Sequence, residues 1–167
     1  MFYLDLFRAL QREDVRYLVV GGLAVNLYGV QRATMDVDLM LAFDSENVSR
    51  FIRAARGLGL TPVAPVALES FADEQTRADW FEQKRMIVLA LRSADPAAPT
   101  LDVLVRPRLS FDEAWSRRVE KAFEGLVVRL ASVDDLIRLK EATGRQRDRS
   151  DIEALERARR LVDDGED

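Results

Sequence analysis

Hydrophobic and polar positions follow two different periods along the chain, and together they predict helices alternating with short strands. Apolar residues at helical spacing predict helices over residues 2–12, 23–28, 45–58, 69–84, 112–122, 132–143 and from 150 onward. Short apolar runs predict strands over residues 16–20, 35–43, 86–91, 101–105 and 126–130, with an extended segment at 61–67. This order predicts an α/β (α+β) fold, in which a small mixed β-sheet is flanked by helices and followed by a C-terminal helical pair.

Polar residues at the predicted helix starts support these boundaries. Ser45, Ser132 and Ser150 stand where a side-chain oxygen would cap the first free amides of a helix. Gly144 is expected to end the helix that Ser132 opens, because glycine readily adopts the backbone conformation that terminates a helix.

One structural unit is expected, in which residues 1–131 form the core and residues 132–167 form helices packed on it. No internal repeat or low-complexity segment divides the chain. The longest apolar runs are far shorter than the roughly 20 residues that cross a bilayer, and the N-terminus has no signal-peptide pattern. We therefore expect a cytoplasmic protein with no membrane partner.

Composition narrows the chemistry that such a fold could carry. The chain of 167 residues is 48% hydrophobic and 32% charged, with a net charge of −4, as is ordinary for a globular protein. It contains no cysteine and no histidine, which excludes zinc sites built on those residues, thiol nucleophiles and Ser-His-Asp hydrolysis. Carboxylate, lysine, arginine and hydroxyl groups remain, and carboxylates favour hard cations such as Mg²⁺, Mn²⁺ or Ca²⁺.

Three aspartates interrupt two otherwise apolar strands. Asp36 and Asp38 are two apart in the strand predicted over 35–43, so both carboxylates should project from one face. Asp102 lies in an equally apolar run, and buried carboxylates without a partner are unfavourable. The simplest interpretation of the first two is a solvated pair at a strand end. Arginine, with Arg32 as a candidate, could also compensate them, whereas a pair of divalent cations would use all three.

A diglycine follows the first predicted strand. Gly21 and Gly22 separate that strand from a short helix, and glycine lets the backbone approach a ligand closely. Amides at the start of a helix attract phosphate. A diglycine after a strand is more often only a turn, so the pattern gains meaning from the aspartates that follow it.

Taken together, these segments resemble the nucleotidyltransferase fold superfamily, and most of all its AbiEii-type toxin branch, which includes the MenT-like tRNA nucleotidyltransferases. The resemblance rests on a Gly-Gly turn, an Asp-x-Asp strand, a third aspartate on a neighbouring strand and a C-terminal run. The residues that carry it are Gly21, Gly22, Leu23, Ala24, Tyr28, Gly29, Arg32, Thr34, Asp36, Asp38, Asp102, Leu136, Lys140, Gly144, Arg145, Asp148 and Asp151. It spans residues 17–155, and residues 1–131 would then be the nucleotidyltransferase core.

The resemblance implies a role for each matched position. Asp36 and Asp38 would bind two metal ions, Mg²⁺ or alternatively Mn²⁺, while Asp102 would bind the catalytic ion and help to deprotonate the acceptor. Nucleotide contacts are implied for five further positions, which are Gly21, Gly22, Arg32, Thr34 and Lys140. One departure is that Leu23 follows the diglycine, where the wider superfamily often has a Gly-Ser turn whose hydroxyl helps to hold the triphosphate.

Two basic features allow alternative interpretations. Lys140 extends the apolar stripe of its helix, so its ammonium group could either reach solvent at the helix end or contact nucleotide phosphates. Arg145, Arg147 and Arg149 suggest nucleic-acid binding, but residues 129–160 hold nine basic against seven acidic side chains. That small excess favours a solvated helical face.

The predicted function is therefore Mg²⁺-dependent transfer of NMP from an NTP to an acceptor hydroxyl, with a tRNA 3′ end favoured as the acceptor. The resemblance places such an enzyme as the toxin of a toxin–antitoxin or phage-defence system, with a cognate antitoxin as a partner protein. Two alternatives remain open. One is an antitoxin-like nucleotidyltransferase that modifies a partner protein, and the other is a non-catalytic module that binds nucleotide or a partner.

Overall fold

The computed structural model of the chain describes residues 1–142 and 146–164, which form one mixed sheet flanked by helices. The helices are α1 (Phe2–Arg12), α2 (Gly21–Leu27), α3 (Ser45–Gly57), α4 (Glu74–Glu82), α5 (Phe111–Ser116), α6 (Val133–Glu141) and α7 (Gln146–Asp164), with a 3-10 helix at Leu68–Ala72. The strands are β1 (Tyr17–Val20), β2 (Val37–Leu41), β3 (Thr61–Pro62), β4 (Val88–Arg92), β5 (Leu101–Leu104), β6 (Val119–Phe123) and β7 (Leu126–Leu130). This architecture confirms the predicted fold class.

The sheet places β2 and β5, the two strands with acidic residues, side by side near its centre. Its strand order is β3-β4-β5-β2-β1-β7-β6. Strands β2 and β5 are parallel, β1 and β7 are parallel, and the other neighbours are antiparallel. Because β1 runs antiparallel to β2, the end of β1 that leads into Gly21 meets the start of β2, where Asp38 lies opposite Val20.

The side chains of β2 and β5 point alternately to two faces of the sheet. The closed face carries Leu39 and Val103, which are 0% exposed. The cleft face carries Asp38 and Asp102, which are half-buried. Successive side chains in a strand point to opposite faces, so the apolar residues between the acidic ones build the core. The acidic residues are thereby presented on a rigid support.

The predicted helix over 112–122 is wrong in its second half. Helix α5 ends at Ser116, and β6 follows as an edge strand paired with β7. Every residue of β6 is exposed, so no buried stripe marks its period in the sequence. The turn after it uses positive φ angles at Glu124 (47°) and Gly125 (79°), a geometry that suits tight β-hairpins.

The predicted caps met different outcomes. Ser132 caps α6 as expected, since its side chain accepts a hydrogen bond from the Asp135 amide at 3.1 Å. Ser45 is not the cap of α3, because Asp44 accepts the bond from the Asn47 amide at 2.9 Å and Ser45 is already helical. A carboxylate one residue earlier in the chain therefore competed successfully for the same role.

Two further helix boundaries differ from the predictions. The helix predicted over 69–84 is two elements, because Asp73 ends the 3-10 helix and caps α4. Helix α7 begins at Gln146, so Ser150 lies inside it instead of opening it. The expected end at Gly144 lies outside the described residues, as do Arg145 and the side chains of 147 and 148. In the described part of the chain, no helix is long and apolar enough to cross a membrane.

Candidate active site

The acidic centre of the molecule is a carboxylate pair on two adjacent parallel strands. Asp38 of β2 lies directly opposite Asp102 of β5, so both side chains project from the cleft face. Asp36 lies one residue before β2, which is shorter than the strand predicted over 35–43. Its side chain is exposed and accepts a hydrogen bond from the Thr100 amide at 3.3 Å. The structure therefore brings Asp38 and Asp102 together and leaves Asp36 at their edge.

This arrangement is electrostatically costly. Burial raises the pKa of Asp38 to about 6, and the nearby Asp102 and Asp36 carboxylates add to the rise. Burial also raises the pKa of Asp102, with a further contribution from Asp36. Both effects disfavour the charged form, the first through loss of solvent and the second through like-charge repulsion. The pair would accept a positive charge readily.

The donor set fits a hard divalent cation. Within the described part of the chain, neither Asp38 nor Asp102 accepts a hydrogen bond or forms an ion pair with another side chain. The ligand atoms that Asp36, Asp38 and Asp102 could offer are carboxylate oxygens, which Mg²⁺ and Mn²⁺ prefer. No three acidic residues in the described ranges already lie close enough together to form a metal-binding group. Asp36, turned towards the Thr100 amide, would have to swing inward to become a third ligand.

The diglycine is required by close packing around the carboxylate pair. Gly21 has a φ of 66°, and an added Cβ would overlap the Asp38 carboxylate, with its Cγ only 2.7 Å away. A Cβ on Gly22 would come within 2.9 Å of Thr34 Oγ1 and 3.3 Å of Arg32 Nη1. Any side chain at these positions would displace the carboxylate or the loop before β2. The diglycine therefore lets Asp38, Arg32 and Thr34 gather at the start of α2.

Two predicted cationic residues meet at one buried carboxylate. Arg32 Nη1 lies 2.5 Å and Lys140 Nζ 3.0 Å from Oδ2 of Asp151, and the three side chains are only 13%, 8% and 9% exposed. Both cations also act to lower the pKa of Asp38. Lys140 therefore does not reach solvent, which removes the first interpretation of this residue. Arg32 pairs with Asp151 and not with the three aspartates that it was expected to compensate.

Asp151 is a buried charged residue beside the candidate site that sequence reasoning did not single out. It matched the C-terminal run of the resemblance but was treated only as part of a helix start. In the structure it lies well inside α7 and is buried on the same side as Leu155, four residues later. An acidic residue four positions before a core leucine, in a helix rich in charge, was the available signal. Burial of a charge at that position requires a cation nearby.

A cavity of about 780 Å³ opens on the cleft face and is bordered by four of the eight predicted site residues. Gly21, Asp38 and Asp102 border it from the sheet side, and Lys140 borders it from α6. Its size is typical of a small-molecule site. A second cavity of about 560 Å³ lies beyond the opposite ends of β2 and β5 and contains none of the predicted residues.

The fold matches solved structures of nucleotidyltransferases at low sequence identity. The lincosamide antibiotic adenylyltransferase LnuA, bound to lincomycin, has a TM-score of 0.59 and 16% identity, with 93% of this chain and 92% of that chain covered. ANT(2″)-Ia, in complex with adenylyl-2″-tobramycin, has a TM-score of 0.57 and 14% identity, with 92% and 85% covered. An antigenic nucleotidyltransferase-like protein from Paracoccidioides brasiliensis has a TM-score of 0.57 and 18% identity, with 93% and 72% covered. At these identities the likeness shows the fold alone.

Sequence comparison gives the family directly. No curated protein matches the chain. The family described as "Nucleotidyltransferase of unknown function (DUF6036)" matches residues 4–161, which is nearly the whole sequence. The chain therefore belongs to this family of nucleotidyltransferases.

Proposed function

We propose that this protein is a Mg²⁺-dependent enzyme that transfers NMP from an NTP to an acceptor hydroxyl and releases pyrophosphate. The observation that carries the proposal is the pair of Asp38 and Asp102, which face each other across adjacent strands with raised pKa values. Neither carboxylate has a protein cation as an ion-pair partner in the described part of the chain. A divalent cation would relieve their repulsion and bring a triphosphate with it.

Each acidic residue has a distinct part in this proposal. Asp38 and Asp102 would hold the divalent cation, with Asp36 joining them when its side chain turns inward. When bound, Mg²⁺ or Mn²⁺ would neutralise charge on the phosphate oxygens. Asp102 would also receive the proton of the acceptor hydroxyl, as the general base of the transfer.

The nucleotide would occupy the part of the cleft beside the diglycine. Lys140 and Arg32 supply positive charge there, and both influence the charge state of Asp38. Because Gly21 and Gly22 have no side chain, the start of α2 lies directly against Asp38 and Arg32. A triphosphate in this position would meet two cations that Asp151 already holds in place.

Three classes of acceptor hydroxyl are to be compared. The resemblance to the AbiEii-type and MenT-like branch makes a tRNA 3′ end the first acceptor to test, and a toxin paired with an antitoxin the corresponding biological role. An antitoxin-like enzyme that modifies a partner protein is the alternative. LnuA and ANT(2″)-Ia were solved with small antibiotic molecules, so a small-molecule hydroxyl is a third class of acceptor.

One observation favours a second candidate function, a non-catalytic nucleotide-binding module. Asp36 is bound to the Thr100 amide, and the described residues contain no ready three-carboxylate group. If Asp36 keeps that contact when nucleotide binds, the site would hold a nucleotide without transferring it. The same experiment distinguishes the two functions.

The test supplies each labelled NTP separately with Mg²⁺, together with total tRNA, lysate protein or a panel of small alcohols. The proposal expects label on one acceptor class and pyrophosphate release, both lost in Asp36→Ala and on addition of a chelator. Glu46→Ala, on the exposed surface of α3, serves as a matched acidic control and should keep wild-type transfer. Nucleotide binding without label on any acceptor would instead support the non-catalytic module.

A further inference from the structure

The cleft is chemically divided between its two sides. The side over β1 and β2 carries the glycines and the Arg32–Asp151–Lys140 group, and we call it the nucleotide half. The side over β4 and β5 we call the apolar half. It is lined by Phe81, Ile87, Val88 and Leu104, and Leu136 and Leu139 of α6 complete the apolar lining of the cavity. Asp38 and Asp102 lie on the boundary, since β2 and β5 are neighbours. A group seated in the apolar half would face Asp102 from the side opposite the nucleotide.

The apolar half is open to an incoming molecule. Ile87, at its edge, is 67% exposed. Leu104 and Val88 lie opposite each other on β5 and β4 and are only partly buried. These residues would bury additional apolar surface if a ligand occupied the cleft, and that burial would favour binding.

Positive charge lies at the far end of the apolar half. Asp102, Leu104 and Arg106 are spaced two apart, and the Val105 amide continues the pairing to the Ile87 carbonyl at 3.0 Å. Arg106 forms an exposed ion pair with Glu82 at 3.0 Å. Arg108 also borders the cavity and makes no ion pair in the described part of the chain.

We infer that the acceptor is a small amphipathic alcohol, with its hydroxyl at Asp102, an apolar body against Leu104 and an anionic group at Arg108. The inference rests on the proposed function and specifies its acceptor. In the reaction, the hydroxyl oxygen forms a bond to the α-phosphorus and the bond from that phosphorus to the bridging oxygen breaks. Pyrophosphate leaves with the bond electrons, and the hydroxyl proton passes to Asp102.

Charge and shape favour this acceptor over two others. A polycationic acceptor would be repelled by Arg108, which makes no ion pair in the described part of the chain, whereas Glu82 balances the charge of Arg106. A tRNA would need a track of cations for its phosphates, whereas this chain has a net charge of −4. Arg32 and Lys140 are only 13% and 8% exposed and are assigned to the triphosphate, so they do not form an exposed track for tRNA phosphates.

The test uses three probes with the same eight-carbon chain and different remote groups. They are octanol, hydroxyoctanoate and aminooctanol, each with its hydroxyl at one end and any charge at the other. Each is offered to the wild-type chain with labelled NTP and Mg²⁺, and its affinity is measured by calorimetry in the presence of a non-hydrolysable NTP. Hydroxyoctanoate is expected to bind about fivefold more tightly than octanol, as one exposed ion pair would give, and aminooctanol most weakly.

A charge reversal sharpens the test. Arg108→Glu should invert the order, so that aminooctanol becomes the preferred probe. Arg12→Glu makes the same charge change on α1, outside the cavity lining, and should keep the wild-type order. Inversion in both variants would show a long-range charge effect and overturn the assignment of Arg108.

The remaining outcomes separate this inference from the proposed function. Label on tRNA or protein, with no probe bound, would overturn the acceptor class and leave the nucleotidyltransferase activity standing. Wild-type affinities that ignore the remote charge would overturn the anionic end group. Absence of Mg²⁺–NTP binding to the wild-type chain would overturn the proposed function, and the acceptor inference with it.

Discussion

The two faces of the sheet use the same strands for opposite purposes. On the closed face, Leu39 and Val103 are fully buried and contribute to the core. On the cleft face, their immediate neighbours Asp38 and Asp102 are half-buried, with charges that repel each other. Because strand side chains alternate, one residue can stabilise the fold while the next residue costs stability for the sake of chemistry. The core on one side compensates for the repulsion on the other.

The largest effect should come from the cleft face. Asp102→Asn removes a carboxylate proposed both to hold the metal ion and to take the acceptor proton. We expect transfer to fall about 10³-fold, equivalent to about 4 kcal/mol of transition-state stabilisation, while the fold persists. The rate of pyrophosphate release measures the loss, and circular dichroism checks the fold. A well-folded variant with wild-type transfer would remove Asp102 from the mechanism.

A substitution on the closed face should lower stability and leave transfer nearly unchanged. Leu39→Ala leaves a cavity in the core on the closed face of the sheet, and we expect it to lower the free energy of unfolding by about 3 kcal/mol. Chemical denaturation measures this loss. At temperatures where the variant remains folded, its transfer rate should stay near that of the wild type. A large loss of transfer without a loss of stability would contradict the separation of the two faces.

Asp38→Asn should act on stability in the opposite direction. The pKa of Asp38 is raised to about 6 in the folded protein, so the folded state binds more protons than the unfolded state between about pH 4 and 6. The free energy of unfolding of the wild type should therefore rise as the pH falls through this window. Above the window, the buried Asp38 charge should lower that free energy by its full amount. Asp38→Asn removes the charge and should stabilise the metal-free protein at pH 8 by about 2 kcal/mol.

Denaturation curves across this pH range check the prediction. The variant should lose most of the pH dependence that Asp38 confers, while Glu46→Ala should retain it. A variant less stable than the wild type at pH 8 would show that the Asp38 charge is compensated in the metal-free protein.

A smaller effect is expected at Asp151. Asp151→Asn leaves Arg32 and Lys140 without their shared carboxylate and should destabilise the free protein by about 1 to 2 kcal/mol, because water in the cleft can partly solvate both cations. Saturating Mg²⁺–NTP should narrow this difference, since phosphates would replace the lost charge. Melting curves with and without nucleotide measure it. An equal difference in both conditions would mean that the triphosphate does not reach these cations.

The sequence predicted the strands with buried residues better than those without. The short apolar run at Leu126–Leu130 predicts strand β7, and three of its five residues are buried in the structure. Strand β6 was assigned to a helix, since all of its residues are exposed and its pairing with β7 alone defines it. A period of hydrophobic residues reports burial, so an exposed edge strand leaves no such signal.

The sequence predicts that Asp38 and Asp102 lie on two apolar strands, but it does not predict which charged side chains pair beside them. The apolar setting of Asp38 and Asp102 identified both carboxylates and the two strands that present them. The contact of Arg32 and Lys140 with Asp151 was missed, because it joins residues more than one hundred positions apart or on two different helices. The sequence also does not show that β2 begins only after Asp36, since the hydrogen bond from the Thr100 amide to Asp36 depends on the neighbouring strand.

The most direct test of a Mg²⁺–nucleotide site at the carboxylate pair is thermal unfolding of the wild type and Asp38→Asn at pH 8. Each is measured alone and with Mg²⁺ plus a non-hydrolysable NTP. Our account predicts that the variant melts at a higher temperature when both are ligand-free, and that only the wild type gains substantially from Mg²⁺–nucleotide. An equal gain in the two proteins would contradict it, because the ion would then bind without Asp38.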